Sequence, residues 1–171
     1  MTTPEFSRPV DIRQADGKRV TLTANEAERA ALAQRFGLVR IESLEAEMAL
    51  DREGNAVSAS GTLTAEIVQS CAVSAEDLPV AIREELAFRF VPESTSHRPD
   101  DEIELDAEDC DEIEYSGTSF DLGEAVAQSL ALAIDPFASG AEAEEARRRS
   151  GIVNPEDTGP FAALKGLNLK E

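Results

Sequence analysis

The chain has 171 residues, with 35 Asp and Glu against 16 Lys and Arg, a formal net charge of −19, and 42% hydrophobic residues. The length suits one domain with tails, and the charge repels phosphate backbones, which disfavours nucleic-acid binding by the domain as a whole. No stretch approaches the ~18 consecutive apolar residues of a membrane span, and the first residues lack a basic start followed by an apolar run, so no signal peptide is expected and the chain reads as cytoplasmic.

The first strand expected is FSRPVDI, with Pro9 suiting an edge. In TLTANEAERAALAQRFGL, Thr23 and Glu26 have capping-box spacing. Ala27, Ala30, Ala31, Leu32 and Phe36 recur at helical intervals and Gly37 sits at the stop, which predicts a helix over 24–36. The period then changes to two. Leu44, Ala46, Met48 and Leu50 alternate with polar residues, and a turn follows at Gly54-Asn55. Val57, Ala59, Leu63, Ala65 and Ile67 continue the pattern, with a Ser/Thr-rich face opposite. Val80, Ile82, Leu86, Phe88 and Phe90 make a third run, which Glu84 interrupts; a β-bulge or an edge position explains that acid most simply. Three alternating runs with short connections predict an antiparallel meander.

Residues 92–112 carry a dense acidic run and are expected to form a mobile loop. EIEY, at 112–115, could return as a short strand. SFDLGEAVAQSLALAIDPF predicts a second helix, with Asp121 as N-cap, Glu124 three residues on, and Asp135-Pro136 at the end. A short surface helix is possible over 141–149. The fold class expected is α+β: an antiparallel sheet packed with two helices, as a single domain over 1–138, followed by a flexible tail over 139–171.

The inventory of chemistry is thin. Cys71 and Cys110 are the two cysteines and His97 the one histidine. A structural zinc site takes four Cys or His ligands, so no metal is expected, and no cofactor motif such as a glycine-rich phosphate loop is present. His97 lies in the acidic loop, where it is poorly placed as a base. No basic neighbour in sequence lowers the pKa of Cys71, which reads as a small hydrophobe. The carboxylates form no obvious catalytic pair, and the chain is expected not to be an enzyme. The tail ends in GPFAALKGLNLKE, a small apolar knot with lysines. Phe161 and Leu164 are spaced as helical anchors beside Lys165. The stub could dock on a partner or fold back on its own sheet.

In order and spacing, QSCAVS, LPVAIREELAFRFVP, the acidic loop, SFDLGEAVAQSLALAIDPF and the terminal GPFAALKGL resemble the YceD family over roughly residues 60–167. The family is known as large ribosomal RNA subunit accumulation protein. The resemblance implies a bacterial, non-enzymatic role in producing or stabilising large-subunit rRNA. It also implies a CxxC zinc clip in many members, of which this chain keeps Cys71 and has Ser74 at the second place. Of the family pattern, Asp121, Leu122 and Glu124, with Pro160, Phe161, Leu164 and Lys165, are the residues expected to meet a partner. The charge points to a basic ribosomal protein or a large-subunit assembly intermediate as that partner, with rRNA met indirectly by a monomer. The alternatives are direct RNA binding through Arg147, Arg148 and Arg149 with Lys165 and Lys170, or a protein-interaction domain with no ribosomal role. A nuclease or hydrolase ranks last.

Overall fold

The computed structural model describes residues 4–93 and 111–151. The chain divides into two compact units, Met1–Gln69 with Pro79–Asp135, and Ser70–Leu78 with Pro136–Glu171. Among the described residues the elements run β1 (Pro9–Asp11), β2 (Arg19–Thr23), α1 (Glu26–Phe36), β3 (Arg40–Glu53), β4 (Ala56–Ser70), β5 (Asp77–Pro92), β6 (Asp111–Tyr115), β7 (Ser119–Asp121), α2 (Leu122–Ala133) and α3 (Ala143–Arg149). The class is α+β.

The main sheet has the order β2-β3-β4-β5-β6. β2 and β4 both pair antiparallel with β3. β6 returns as expected from EIEY, but it lies parallel to β5, with Phe88 opposite Asp111 and Pro92 opposite Tyr115. The sheet is therefore mixed rather than a pure meander. β1 is not an edge of this sheet; it pairs antiparallel with β7 as a separate two-stranded ribbon, Val10 opposite Phe120.

α1 starts two residues later than the Thr23–Glu26 spacing predicts. Thr23 is the last residue of β2, paired with Glu45. The capping box is formed by Asn25 and Glu28 instead: the Glu28 N–H donates to Asn25 Oδ1 at 3.0 Å and the Asn25 N–H to Glu28 Oε2 at 2.8 Å. Two donors at the helix start are thereby satisfied reciprocally. Gly37 closes the helix in the left-handed conformation, φ 67°, which glycine adopts without steric cost.

The core of the larger unit is built as the alternation requires. Leu44, Ala46, Met48 and Leu50 of β3 and Val57, Ala59, Leu63, Ala65 and Ile67 of β4 are all buried. α1 contributes Leu32 and Ala33, and α2 contributes Leu122, Val126 and Leu130. With so few aromatics, those present are concentrated: Phe90 stacks on Phe120 with ring centroids 4.1 Å apart, and Tyr115 and Phe88 flank the pair. The Tyr115 hydroxyl donates to Asn55 O at 2.6 Å, joining β6 to the β3–β4 turn.

In the smaller unit the Ala72 N–H donates to Ala138 O and the Cys71 N–H to Glu76 O. Gly140 is packed so closely that a Cβ there would lie 1.8 Å from Glu76 Oε1 and 2.7 Å from Leu78 Cδ2. The short surface helix is α3, which buries Ala143 and carries ion pairs from Arg147 to Glu144 and from Arg149 to Glu145.

Candidate functional site

The alternation that buries one face of β2, β3 and β4 exposes the other, and the register decides what that face presents. Glu45 stands between Thr23 and Thr64, Glu47 between Thr21 and Thr62, and Asp51 opposite Ser58. Glu66 extends the row along β4. All four acids are exposed, and among the described residues none of them is in an ion pair. Arg19, opposite Ala49, places a cation among them. A shallow hollow of about 450 Å³ opens over Ala49, Ser60 and Thr62 with Arg19 and Glu47 beside it. Gly61 lies beneath it, where a Cβ would fall 1.9 Å from Glu47 O. This surface offers carboxylates and hydroxyls, with no nucleophile–base pair. It can accept hydrogen bonds from ammonium and guanidinium groups, and it repels phosphate.

The residues expected to meet a partner at the start of α2 make contacts within the fold. Asp121 is the N-cap as expected: Oδ1 accepts from the Glu124 N–H at 3.1 Å and the Arg8 N–H at 2.8 Å, and Oδ2 from the Ser7 hydroxyl at 2.6 Å. Leu122 is fully buried. The Glu124 carboxylate is clamped by both Arg35 nitrogens at 3.1 and 2.8 Å, and Arg35 also binds Glu5. The Arg35 hydrogen bond holds the Glu124 carboxyl below its usual range, and the same contact raises the Arg35 pKa. A second clamp, Arg8 on Glu28 at 2.7 and 2.9 Å, lowers the Glu28 pKa in the same way.

Cys71 is buried, with the chain wrapped around its sulfur. The N–H groups of Val73, Ser74 and Gly140 point at Sγ from 3.5, 3.3 and 3.4 Å. Ala75 completes the turn with a left-handed φ of 58°. The Ser74 hydroxyl is buried and meets full hydrogen-bond geometry with no neighbour, yet it lies near enough to stabilise a thiolate. With the N–H groups it lowers the thiol pKa to about 7. The absence of a basic neighbour therefore did not decide this residue's acidity, because the Ser74 hydroxyl and then the backbone amides supply the positive potential. A zinc clip does not fit this site. Ser74 stands where a second thiolate would, and among the described residues no three Cys, His, Asp or Glu side chains gather as a metal requires.

Glu84 keeps the inward phase of β5 between Ile82 and Leu86, yet it is exposed. It lines a groove of about 240 Å³ beside Leu86 and the last turn of α2, Ser129, Leu132 and Ala133. His97, Cys110, most of the acidic run, and Pro160, Phe161, Leu164 and Lys165 lie outside the described residues. The acidic face was missed as a site because its acids are scattered in sequence. The alternation carried the signal, but only the register brings Glu45 and Glu47 beside the threonines of both neighbouring strands.

Among the described residues no helix is long and apolar enough to cross a membrane. No curated protein and no solved structure matches the chain. The family model described as Large ribosomal RNA subunit accumulation protein YceD matches residues 59–168, more than half of the chain, and the chain belongs to that family.

Proposed function

We propose that this YceD-family chain promotes accumulation of large-subunit rRNA without catalysing a reaction, as an acidic adaptor for a basic ribosomal protein or assembly intermediate. Its family name ties it to large-subunit rRNA; the mode of action is our reading. The observation that carries it is the exposed face of β2, β3 and β4, where Glu45, Glu47, Asp51 and Glu66 make no ion pair among the described residues. Such a face lowers the energy of a lysine- and arginine-rich surface and steers its encounter. The net charge of −19 opposes self-association, so the adaptor acts as a monomer, in the cytoplasm where ribosomes are built. Direct RNA binding through α3 has less support, because Glu144 and Glu145 pair with Arg147 and Arg149.

The test is capture of large-subunit proteins from native lysate by three tagged forms: the full chain, Glu45→Lys with Glu47→Lys, and a chain ending at Ser150. The full chain is expected to recover large-subunit proteins and the charge-reversed form to lose most of them. Loss on truncation alone would move the contact to the terminal stub around Phe161 and Leu164. Recovery of rRNA but no ribosomal protein, by salt-sensitive binding, would overturn the adaptor reading in favour of an RNA-binding factor.

A further inference from the structure

β5 is the longest strand of the sheet at 16 residues, and its outer neighbour β6 covers only Phe88–Pro92. Over 79–87 no described strand pairs with that side, so alternate residues turn N–H and C=O groups out of the sheet. Pro79, which has no N–H to give, sits at the start of this stretch, as proline does on an open edge. Along the open edge runs the groove lined by Glu84, Glu85, Leu86, Ser129 and Leu132. Its chemistry is one-sided. Glu84 places a carboxylate at a position the alternation reserves for an apolar residue. It faces the last turn of α2, whose carbonyls carry the negative end of the helix dipole and whose last turn has no basic residue. Two negative features thus share one groove without a cation in the last helical turn between them. Beside them Leu132 is 85% exposed.

We infer that the open edge of β5 binds an extended basic segment as an added strand, with a lysine or arginine side chain seated between Glu84 and the C-terminal turn of α2. An apolar residue two positions along that segment covers Leu132. Main-chain hydrogen bonds to 79–87 supply the affinity, and the acidic groove selects the side chain. A second copy of this chain is a poorer occupant. Antiparallel pairing centred on Glu84 would place that acid against its own copy, between two bodies that each carry −19. The basic character of the occupant rests on the adaptor reading; the open edge and its groove stand without it.

The probe is a decapeptide alternating lysine and valine, added to the full chain, with hydrogen exchange followed at the amides of 79–87. Exchange there is expected to slow on binding. Glu84→Lys should weaken the peptide at least about tenfold, a loss of about 1.4 kcal/mol, and Leu132→Ser should weaken it less. Glu45→Lys should leave it unchanged, and so separates this edge from the acidic face. The same peptide N-methylated at alternate residues should not bind. Outward-turned amides of 79–87, those not directed at β4, that are already protected in the free chain, or that become protected as protein concentration rises, would overturn the inference, since the edge would be occupied by the chain itself or by a second copy. Protein extracted from large ribosomal subunits provides the second arm. Binding of that extract without protection of 79–87, and undiminished by Glu84→Lys, would sink the edge and leave the adaptor. Protection by the peptide with no binding of the extract would keep the edge and sink the adaptor.

Discussion

Cys71 is where residue identity and residue behaviour part most clearly. A thiol among apolar neighbours ordinarily holds its proton, but this one is ringed by three backbone N–H groups and the Ser74 hydroxyl. The unfolded thiol ionises near its ordinary value of 9.0 and the folded one near about 7. Folding therefore favours the thiolate, and the contribution is fully present above pH 9 and lost as the pH falls through 7. In a Cys110→Ser background, the gap in unfolding midpoint between Cys71 and Cys71→Ser should widen from pH 7 to 9 and then level. A constant gap across that window would mean that the amides do not hold a thiolate. Gly61 makes a plainer case. Its missing Cβ leaves room for Glu47 O, which an added methyl would meet at 1.9 Å, and for Met48 Sδ at 2.7 Å. Backbone cannot move aside as a side chain can, so Gly61→Ala should destabilise by roughly 2–3 kcal/mol, measured by urea unfolding.

At the scale of elements, the long regular patterns were legible and the short ones were not. The polar–apolar alternation of β3, β4 and β5 and the apolar stripe of α2 each report a buried face over many residues, and each element forms where its pattern lies. β2 was hidden because its five residues, RVTLT, run directly into the helix-start signal; pairing with β3, a long-range contact, decides that Thr23 ends a strand. The parallel direction of β6 was equally invisible, since five residues carry no mark of the partner strand's direction. The N-cap expected at Asp121 forms, and its side chain also acts as a connector. Asp121 takes hydrogen bonds from Ser7, Arg8 and Glu124, and so fastens the N-terminal segment to the helix it caps. Asp121→Ala should cost about 2 kcal/mol, more than a cap alone, because it also strands the buried-side donors of Ser7 and Arg8. Thermal unfolding checks this, and a loss no greater than that of Asn25→Ala at the start of α1 would count against the connecting role.

For the molecule as a whole, charge outweighs every local feature. A net −19 over the chain is self-repulsion that the folded state concentrates and the unfolded chain relaxes. Salt at pH 7 should therefore stabilise this protein: raising NaCl from ~0.02 to ~0.5 M is expected to lift the thermal midpoint by a few degrees. The clamps of Arg8 on Glu28 and Arg35 on Glu124 act in the opposite sense, and the first of them is part-buried and screened less. A midpoint that falls with salt would mean that those ion pairs outweigh the repulsion. One pairing has a further consequence, in time rather than in energy. β1 finds its partner β7 more than a hundred residues later, Val10 against Phe120, and Phe6 and Phe120 are both core residues. Emerging from a ribosome, the chain can close the β3–β4 hairpin early, from neighbouring sequence. It cannot seat its own first strand until residue 121 has been made, because loop closure over that span precedes any contact that rewards it. Synthesis is then a wait with the earliest-made segment unpaired, and completion of α2 is the step that locks it.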